Sequence, residues 1–431
     1  MQNKKIIMMH YSYPPVVGGV ESVMQKHAEL LTLNGFSVEI LTGRGYSDDI
    51  EIKVKKFDLL DSTNKRILKI KNSLDSGKIP RDFSTAKEEI KMWLKQQLDV
   101  ADLLIAHNIC TLHKNLPFSA ALYDLVQEKS TPPLIAWDHD FAWSNKQYLP
   151  QVYDEWPWNI LKQTWSEKKH IHVTVSEDRK SQLAHLLNTS PARIHAIPSG
   201  IEFDRILGLS AQTLEIIRNY SIMNAFPIIL LPARITKRKN IEFAVKIVDK
   251  LKKHYPSTAL IITGPPGPHN PKNRSYFQEL KNLRSQMDLI PSALEVNNDS
   301  KVIFLAEYSD NYIPTETIYD LYRISDFLLF PSVQEGFGIP ILEAGITGMP
   351  IFCSNIHPFH ETAGEHANYF ELTDNPDFIA LKIYEFLEND KSIQLKKKVR
   401  QKYTWEGVYS SQIEPLIFGS LLIATEGENG K

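Results

Sequence analysis

The chain has little cysteine, almost no net charge and no long apolar run, and each shortage removes a class of function. Only Cys110 and Cys353 occur in 431 residues. Both sit in apolar surroundings without metal-ligand spacing, which argues against a disulfide scaffold or a thiolate metal site and predicts reduced, buried thiols. A formal charge of -2 from 49 basic and 51 acidic side chains excludes a globally basic nucleic-acid binder, although a local basic cleft is compatible with it. No segment approaches the roughly 20 apolar residues of a membrane span, and the apolar stretch near the N-terminus is too short for a signal peptide. A soluble, cytoplasmic protein is the expectation. The lysine-rich stretch 53–91 reads as a solvated face, with peripheral contact to an anionic membrane as the alternative. Solenoid repeats and low-complexity tracts are missing too, apart from a polar tail at 425–431 expected to fray.

What remains is an ordinary globular composition, 42% hydrophobic and 23% charged, in a chain too long for one growing core. Two domains of about 200 residues each follow. Strand-like runs at 5–10, 37–42, 102–106, 133–137, 172–175 and 194–197 alternate with helical patterns, the first helix at 20–34. A second series starts at 226–233, with a helix at 240–255, strands at 258–263, 301–305 and 326–330, and a helix at 316–324. The alternation predicts an α/β protein of two doubly wound, Rossmann-like domains with parallel sheets, divided within 201–224 and facing across a cleft. Ligands of such folds bind beyond the carboxyl ends of the strands.

Chemistry-bearing residues concentrate at those ends. Glu335 and Glu343 bracket Gly336, Phe337, Gly338 and Ile339 between an apolar strand and a helix expected to begin at Pro340, which puts Glu343 in the first turn. Free amides and the positive end of the helix dipole suit a hydroxyl-rich, anionic ligand; simple dipole complementation by a glutamate is the alternative. Gly18 and Gly19 follow the first strand and precede a helix, and let a ligand reach backbone amides, without the Gly-x-Gly-x-x-Gly dinucleotide fingerprint. At the matching place in the second half, Arg234 and the basic run to Lys239 offer a planar donor fork and a point charge for a diphosphate without a divalent metal. His107 and His139 end two strands of the first half and can exchange hydrogen bonds with sugar hydroxyls or relay protons. Asp138 and Asp140 spell Asp-x-Asp, so a carboxylate-bound divalent cation is the competing option. Trp137, Phe141, Trp143, Tyr148, Trp156 and Trp158 form either a sugar-stacking cluster or a packed flap.

In this order, Gly18-Gly19-Val20-Glu21, His107, His139, Pro198-Ser199-Gly200-Ile201-Glu202, Arg234 with Lys239, Thr263-Gly264 and the Glu335 to Glu343 segment, the chain resembles the retaining GT-B glycosyltransferases of family 4 over nearly its whole length. The resemblance implies an N-terminal acceptor-side domain, 1–205, onto which a helix at 405–424 packs back, and a donor-binding domain, 206–404. It implies hexose transfer, of mannose or glucose, from a nucleotide-diphosphate sugar such as GDP-mannose or UDP-glucose to a hydroxyl acceptor, by front-face attack with retention. No prosthetic group or essential metal enters that reaction. Arg234 and Lys239 would hold the diphosphate, Glu335 and the amides of Gly336, Phe337 and Gly338 the donor sugar, and Glu343 the ribose. Gly18, Gly19, Ser199, Gly200, Gly264 and Ile339 would complete the donor side. His139 would lie near the reacting carbon, and His107, Asn108, Asp140 and Tyr148 toward the acceptor. The acceptor would be a small glycoside or solute, a saccharide or a lipid-linked sugar. Two other readings stay open: an epimerase of the same fold, and a non-catalytic nucleotide-sugar binder. Ser199 and Glu202 stand where the family more often has Asn and Asp, and the loop 264–271 is unusually rich in proline.

Overall fold

The computed structural model describes residues 4–166, 169–291, 299–309 and 313–426. The chain divides into two compact units, one running to Gly200 and resuming at Trp405, the other Ile201–Thr404.

The first unit is built on seven strands, β1 (Lys5–Met9), β2 (Ser37–Thr42), β3 (Lys53–Lys56), β4 (Leu103–His107), β5 (Leu134–Asp138), β6 (His170–Thr174) and β7 (Ile194–Ala196). They are parallel throughout, in the order β3-β2-β1-β4-β5-β6-β7. Ile6 to Met9 are all fully buried, as a strand covered on both faces requires. Ile6, Met8, Ile105 and Trp137 point to one layer, packed by the helix Gly19–Leu33 and the terminal helical segment. Ile7, Met9, Leu104 and Ala136 point to the other, packed by the helices Arg81–Leu98 and Leu116–Gln127.

Part of the stretch read as a solvated face is also an edge strand. Lys53–Lys56 forms the edge strand β3, paired from Glu39↔Lys53 to Thr42↔Lys56. Glu39 gathers Lys5 at 3.0 Å and Lys55 at 2.8 Å, so lysines blunt the open edge while one carboxylate anchors it.

Six parallel strands form the second unit: β8 (Ile228–Leu231), β9 (Ala259–Ile262), β10 (Lys301–Phe304), β11 (Phe327–Phe330), β12 (Ile351–Ser354) and β13 (Asn368–Phe370), in the order β10-β9-β8-β11-β12-β13. The strand order reverses between β8 and β11, as it does between β1 and β4 in the first unit. Those two places are where an open α/β sheet leaves a crevice. A buried ion pair fastens this unit: Arg400 reaches Asp326 at 3.0 and 2.9 Å, and Asp326 also accepts the Ile228 amide at 2.7 Å.

The terminal segment expected as one helix at 405–424 is Trp405–Val408, a π-helical turn Tyr409–Ile413, and Glu414–Glu426, all within the first unit. Most of the polar tail lies outside the described residues. Among the described residues no helix is long and apolar enough to cross a membrane, and both cysteines are buried and unpaired.

Candidate active site

In the second unit the loops after β8 and β11 meet. The backbone amide of Val333 donates to the carbonyl of Arg238 at 2.8 Å, which brings the basic turn Lys237–Lys239 against the glutamate loop. Lys239 Nζ forms an ion pair with Glu335 Oε1, Arg238 reaches Glu335 Oε2 at 3.0 Å, and Ser332 Oγ donates to Glu335 at 2.8 Å. The Lys239 and Glu335 side chains are only 11% and 8% exposed. Burial pulls the Lys239 ammonium below its usual pKa, against the raising effect of Glu335. Lys239 also lies 4.8 Å from the Phe330 ring centre. Arg238 lies in the basic run that the sequence marks, but its pairing with Glu335 spans nearly a hundred residues and leaves no local trace. Ser332, three residues before Glu335, is not singled out as a site residue by the sequence.

The helix expected to begin at Pro340 begins at Ile339 instead, and Glu343 consequently falls beyond its first turn. Gly338 is the reason. It caps the helix at φ +94°, and a Cβ there would lie 3.0 Å from the Phe359 ring, so the left-handed cap requires glycine. Gly336 has open space where a Cβ would be, while Phe337 and Ile339 are 52% and 60% exposed.

Glu343 lines a cavity of about 350 Å³ together with Arg234, Thr263, Gly264, Pro266 and Ile318. Its carboxylate accepts the Tyr322 hydroxyl at 2.7 Å. Arg234 is exposed and has no ion pair among the described residues. Gly264 permits this arrangement, since a Cβ would lie 2.5 Å from the Ala233 carbonyl oxygen and 2.6 Å from the Arg234 Cα. The proline-rich loop is not loose: the Ile235 amide donates to Pro265 at 3.0 Å and the Gly267 amide to Ile235 at 3.2 Å.

The first unit is furnished differently. Gly18 caps the helix Gly19–Leu33 in extended backbone, and a Cβ on it would strike the Glu21 carboxylate at 2.1 Å, whereas Gly19 has open space. Glu21 accepts from Ser12 Oγ at 2.6 Å. Asn108 holds the turn after β5 from a left-handed backbone at φ 57°, its Oδ1 accepting the amides of His139 at 2.7 Å and Asp140 at 3.1 Å. His139 is half-buried, and burial lowers its pKa to about 4, helped by His10.

The structure places the residues singled out in this unit in distinct surroundings. His107, expected toward the acceptor, is fully buried and touches His139 rather than solvent; Asn108 is buried as well and acts as the turn's brace. The Asp-x-Asp pair does not converge: Asp138 is fully buried and engaged by His172 Nδ1 at 2.6 Å and Thr111 Oγ1 at 2.9 Å, while Asp140 pairs with Arg179 at 3.3 Å. Among the described residues no group of three or more His, Cys, Asp or Glu is placed to hold a metal. Trp137, Phe141 and Trp158 are core residues, and Trp156 packs edge-on against Phe83 at 5.1 Å. Tyr148 leans on His113 at 5.0 Å with Lys114 4.3 Å from its ring centre. Gly200 has a packing duty, since a Cβ there would lie 2.5 Å from the Trp405 ring; its neighbour Ser199 is exposed.

Comparison with known proteins places both units. Residues 17–205 match the family described as Glycosyltransferase Family 4, and 213–403 the family described as Glycosyl transferases group 1. An uncharacterized glycosyltransferase of Methanocaldococcus jannaschii is 26% identical over 55% of this chain and 57% of its own length. The mannosylglucosylglycerate synthase of Petrotoga mobilis is 25% identical over 64% of each chain, and that of Thermotoga maritima 22% identical over 80% of this chain and 79% of its own. The chain thus spans less than two thirds of the first two relatives' length. With one family match on each doubly wound sheet, the chain belongs to glycosyltransferase family 4 and has the two-domain GT-B fold.

Proposed function

We propose that the protein is a retaining hexosyltransferase that carries a sugar from a nucleoside diphosphate to a hydroxyl acceptor without a metal. The observation that carries this is the buried Lys239–Glu335 pair, with Arg238 on it, in the same unit as the Arg234 and Glu343 cavity. Lys239 is desolvated and supported by one carboxylate, and a diphosphate would supply a second anionic partner. Arg234 adds a planar fork with no competing ion pair among the described residues. Glu335 accepts hydrogen bonds from hexose hydroxyls while Lys239 and Arg238 hold it in place. The amides at the start of the helix Ile339–Ile346 face developing charge on the leaving group.

In the reaction the bond from the anomeric carbon to the diphosphate oxygen breaks. A bond from the acceptor oxygen forms on the same face, and the acceptor's proton passes to the departing phosphate oxygen. No side-chain nucleophile takes part. Mannose is the favoured hexose because relatives are named mannosylglucosylglycerate synthase and O-antigen chain mannosyltransferase B. GDP-mannose is therefore the first donor to test and UDP-glucose the second, in a protein working in the cytoplasm.

A thermal-shift series with UDP, GDP and ADP sugars tests the donor, since a ligand at 100 times its Kd adds about 2.7 kcal/mol. Stabilisation by one nucleotide-sugar class, followed by glycoside formation in the presence of EDTA, is the expected result. Epimer formation without any acceptor, or activity abolished by EDTA and restored by a divalent ion, overturns it.

A further inference from the structure

Behind His139 lies a second imidazole to which the proposed reaction gives no part. The His107 ring stacks 5.9 Å from Trp137 and lies 5.6 Å from both His139 and His27. Its Nδ1 is 3.3 Å from His139 Nε2. Its Nε2 is buried with no hydrogen-bond partner. A neutral imidazole has one N–H and one bare nitrogen, so a single proton occupies the contact between the two rings. With the His107 proton on Nε2, an N–H would be buried with nothing to accept it, an arrangement folded proteins rarely contain; a bare buried nitrogen is met more often. The proton therefore belongs on His107 Nδ1, where His139 Nε2 accepts it.

The surroundings keep both rings uncharged. From β1 and the residues after it come His10, whose Nδ1 contacts the His107 carbonyl at 2.8 Å, and Ser12. The helix Gly19–Leu33 brings His27 and Glu21, the latter accepting from Ser12 and 3.9 Å from His10. The end of β5 brings Asp138 and Asp140, engaged by His172 and Arg179, and the terminal segment brings Trp405, 5.5 Å from His27. Among the described residues neither His107 nor His139 has an ion pair. Burial and the neighbouring imidazoles lower both pKa values.

We infer that His107 is a positioning residue: it donates its Nδ1–H to His139 Nε2, fixes His139 as the Nδ1–H tautomer, and makes His139 a hydrogen-bond donor rather than a proton acceptor. That the recipient is a hexose oxygen rests on the function proposed above. The tautomer does not. A donor at this position fits a reaction in which the leaving phosphate, and no imidazole, takes the proton.

Long-range 1H–15N spectra of protein labelled in histidine, without nucleotide sugar, read the tautomer directly. The His139 proton is expected on Nδ1 in the parent at neutral pH and redistributed toward Nε2 in His107→Leu. His107→Asn, whose amide occupies the place of Nδ1, should keep it on Nδ1. In turnover, His107→Leu should lower kcat about ten-fold, the equivalent of one hydrogen bond, with KM for the nucleotide sugar within about two-fold, and His107→Asn should recover most of it. An Nε2–H tautomer in the parent overturns the inference, as does a His139 tautomer unchanged in His107→Leu. The tautomer result stands or falls without turnover, so a protein inactive on every nucleotide sugar would refute the proposed function and leave this assignment standing.

Discussion

The ends of β8 and β11 carry Arg234, Arg238, Lys239 and Glu335, with the carboxylate held between two cations. The ends of β4 and β5 carry His107, Asn108 and His139, joined by hydrogen bonds between neutral groups. Carboxyl ends of neighbouring strands in two similar sheets are thus equipped for two tasks. Charge at a strand end can bind a charged ligand group and binds it more strongly when partly desolvated; Lys239 and Arg238 are held in ion pairs with Glu335, while Arg234 is exposed. Neutral donors at a strand end fix direction and cost little when buried, provided each is oriented by a neighbour. In the proposed reaction the second unit would accordingly grip the diphosphate and the first would orient oxygens.

The sharpest way to break that division is a double-mutant cycle. Glu335→Gln and Lys239→Ala should each lower kcat/KM for the donor by about 10²-fold or more, because Lys239 faces charge developing on the leaving group and Glu335 positions the hexose. The double variant should be little worse than either single one, since the two side chains act as a unit. His139→Ala should cost less, about ten-fold, the loss of one neutral hydrogen bond. Equal losses at Glu335 and His139, or strict additivity in the cycle, would dissolve the distinction between the units.

Gly200→Ala separates packing from binding. The Cβ would press on the Trp405 ring and backbone, at 2.5 and 2.7 Å, with an expected destabilisation of about 1–3 kcal/mol, typical of overpacking. Denaturant unfolding should show it, and the donor Kd of the folded fraction should not move. A changed donor affinity at parental stability would return Gly200 to the donor-binding set that the resemblance implied. Arg234→Lys is the complementary test: the side chain is exposed, so the melting temperature should hold while KM for the donor rises about ten-fold through loss of the bidentate fork. A melting temperature lowered in step with KM would count against it.

Much of the architecture is legible without the structure because it is written locally. Runs such as Ile6 to Met9 and Phe327 to Phe330 are short, apolar and regularly spaced with helices, and both parallel sheets follow from them. The Glu335 to Glu343 segment announces itself by its glycines. What the sequence conceals depends on residues distant in the chain. Lys239 meets Glu335, Gly200 meets Trp405, and His107 turns inward against Trp137, and none of these contacts leaves a local trace. The early helix start at Ile339 is hidden in the same way, since it follows from the left-handed backbone of Gly338 beside Phe359. The strand at Lys53–Lys56 is masked because its lysines speak for solvent, and only the fold shows its ladder with β2 and the pairing of Lys55 with Glu39.

The last expected effect is on acid stability, and it bears on the same contrast. Burial lowers the pKa of seven histidines in the first unit, namely His10, His27, His107, His113, His139, His170 and His195, with His27 at about 3 and His139 at about 4. Such a residue is neutral when folded but binds a proton when unfolded below its usual 6.5. Between about pH 6.5 and 4 the unfolded chain therefore holds more protons, and stability falls as pH falls through that window. Exchange of backbone amides, compared at about pH 7.5 and 5.5 after correction for intrinsic rates, should show protection lost first in β4, β6 and β7, which carry His107, His170 and His195. Replacing His139 with Asn should flatten the pH dependence of unfolding by up to about one proton over the same window. If β8 and β11 open as early as the histidine-bearing strands, or if His139→Asn leaves the slope unchanged, the buried imidazoles are not what makes the first unit sensitive to acid.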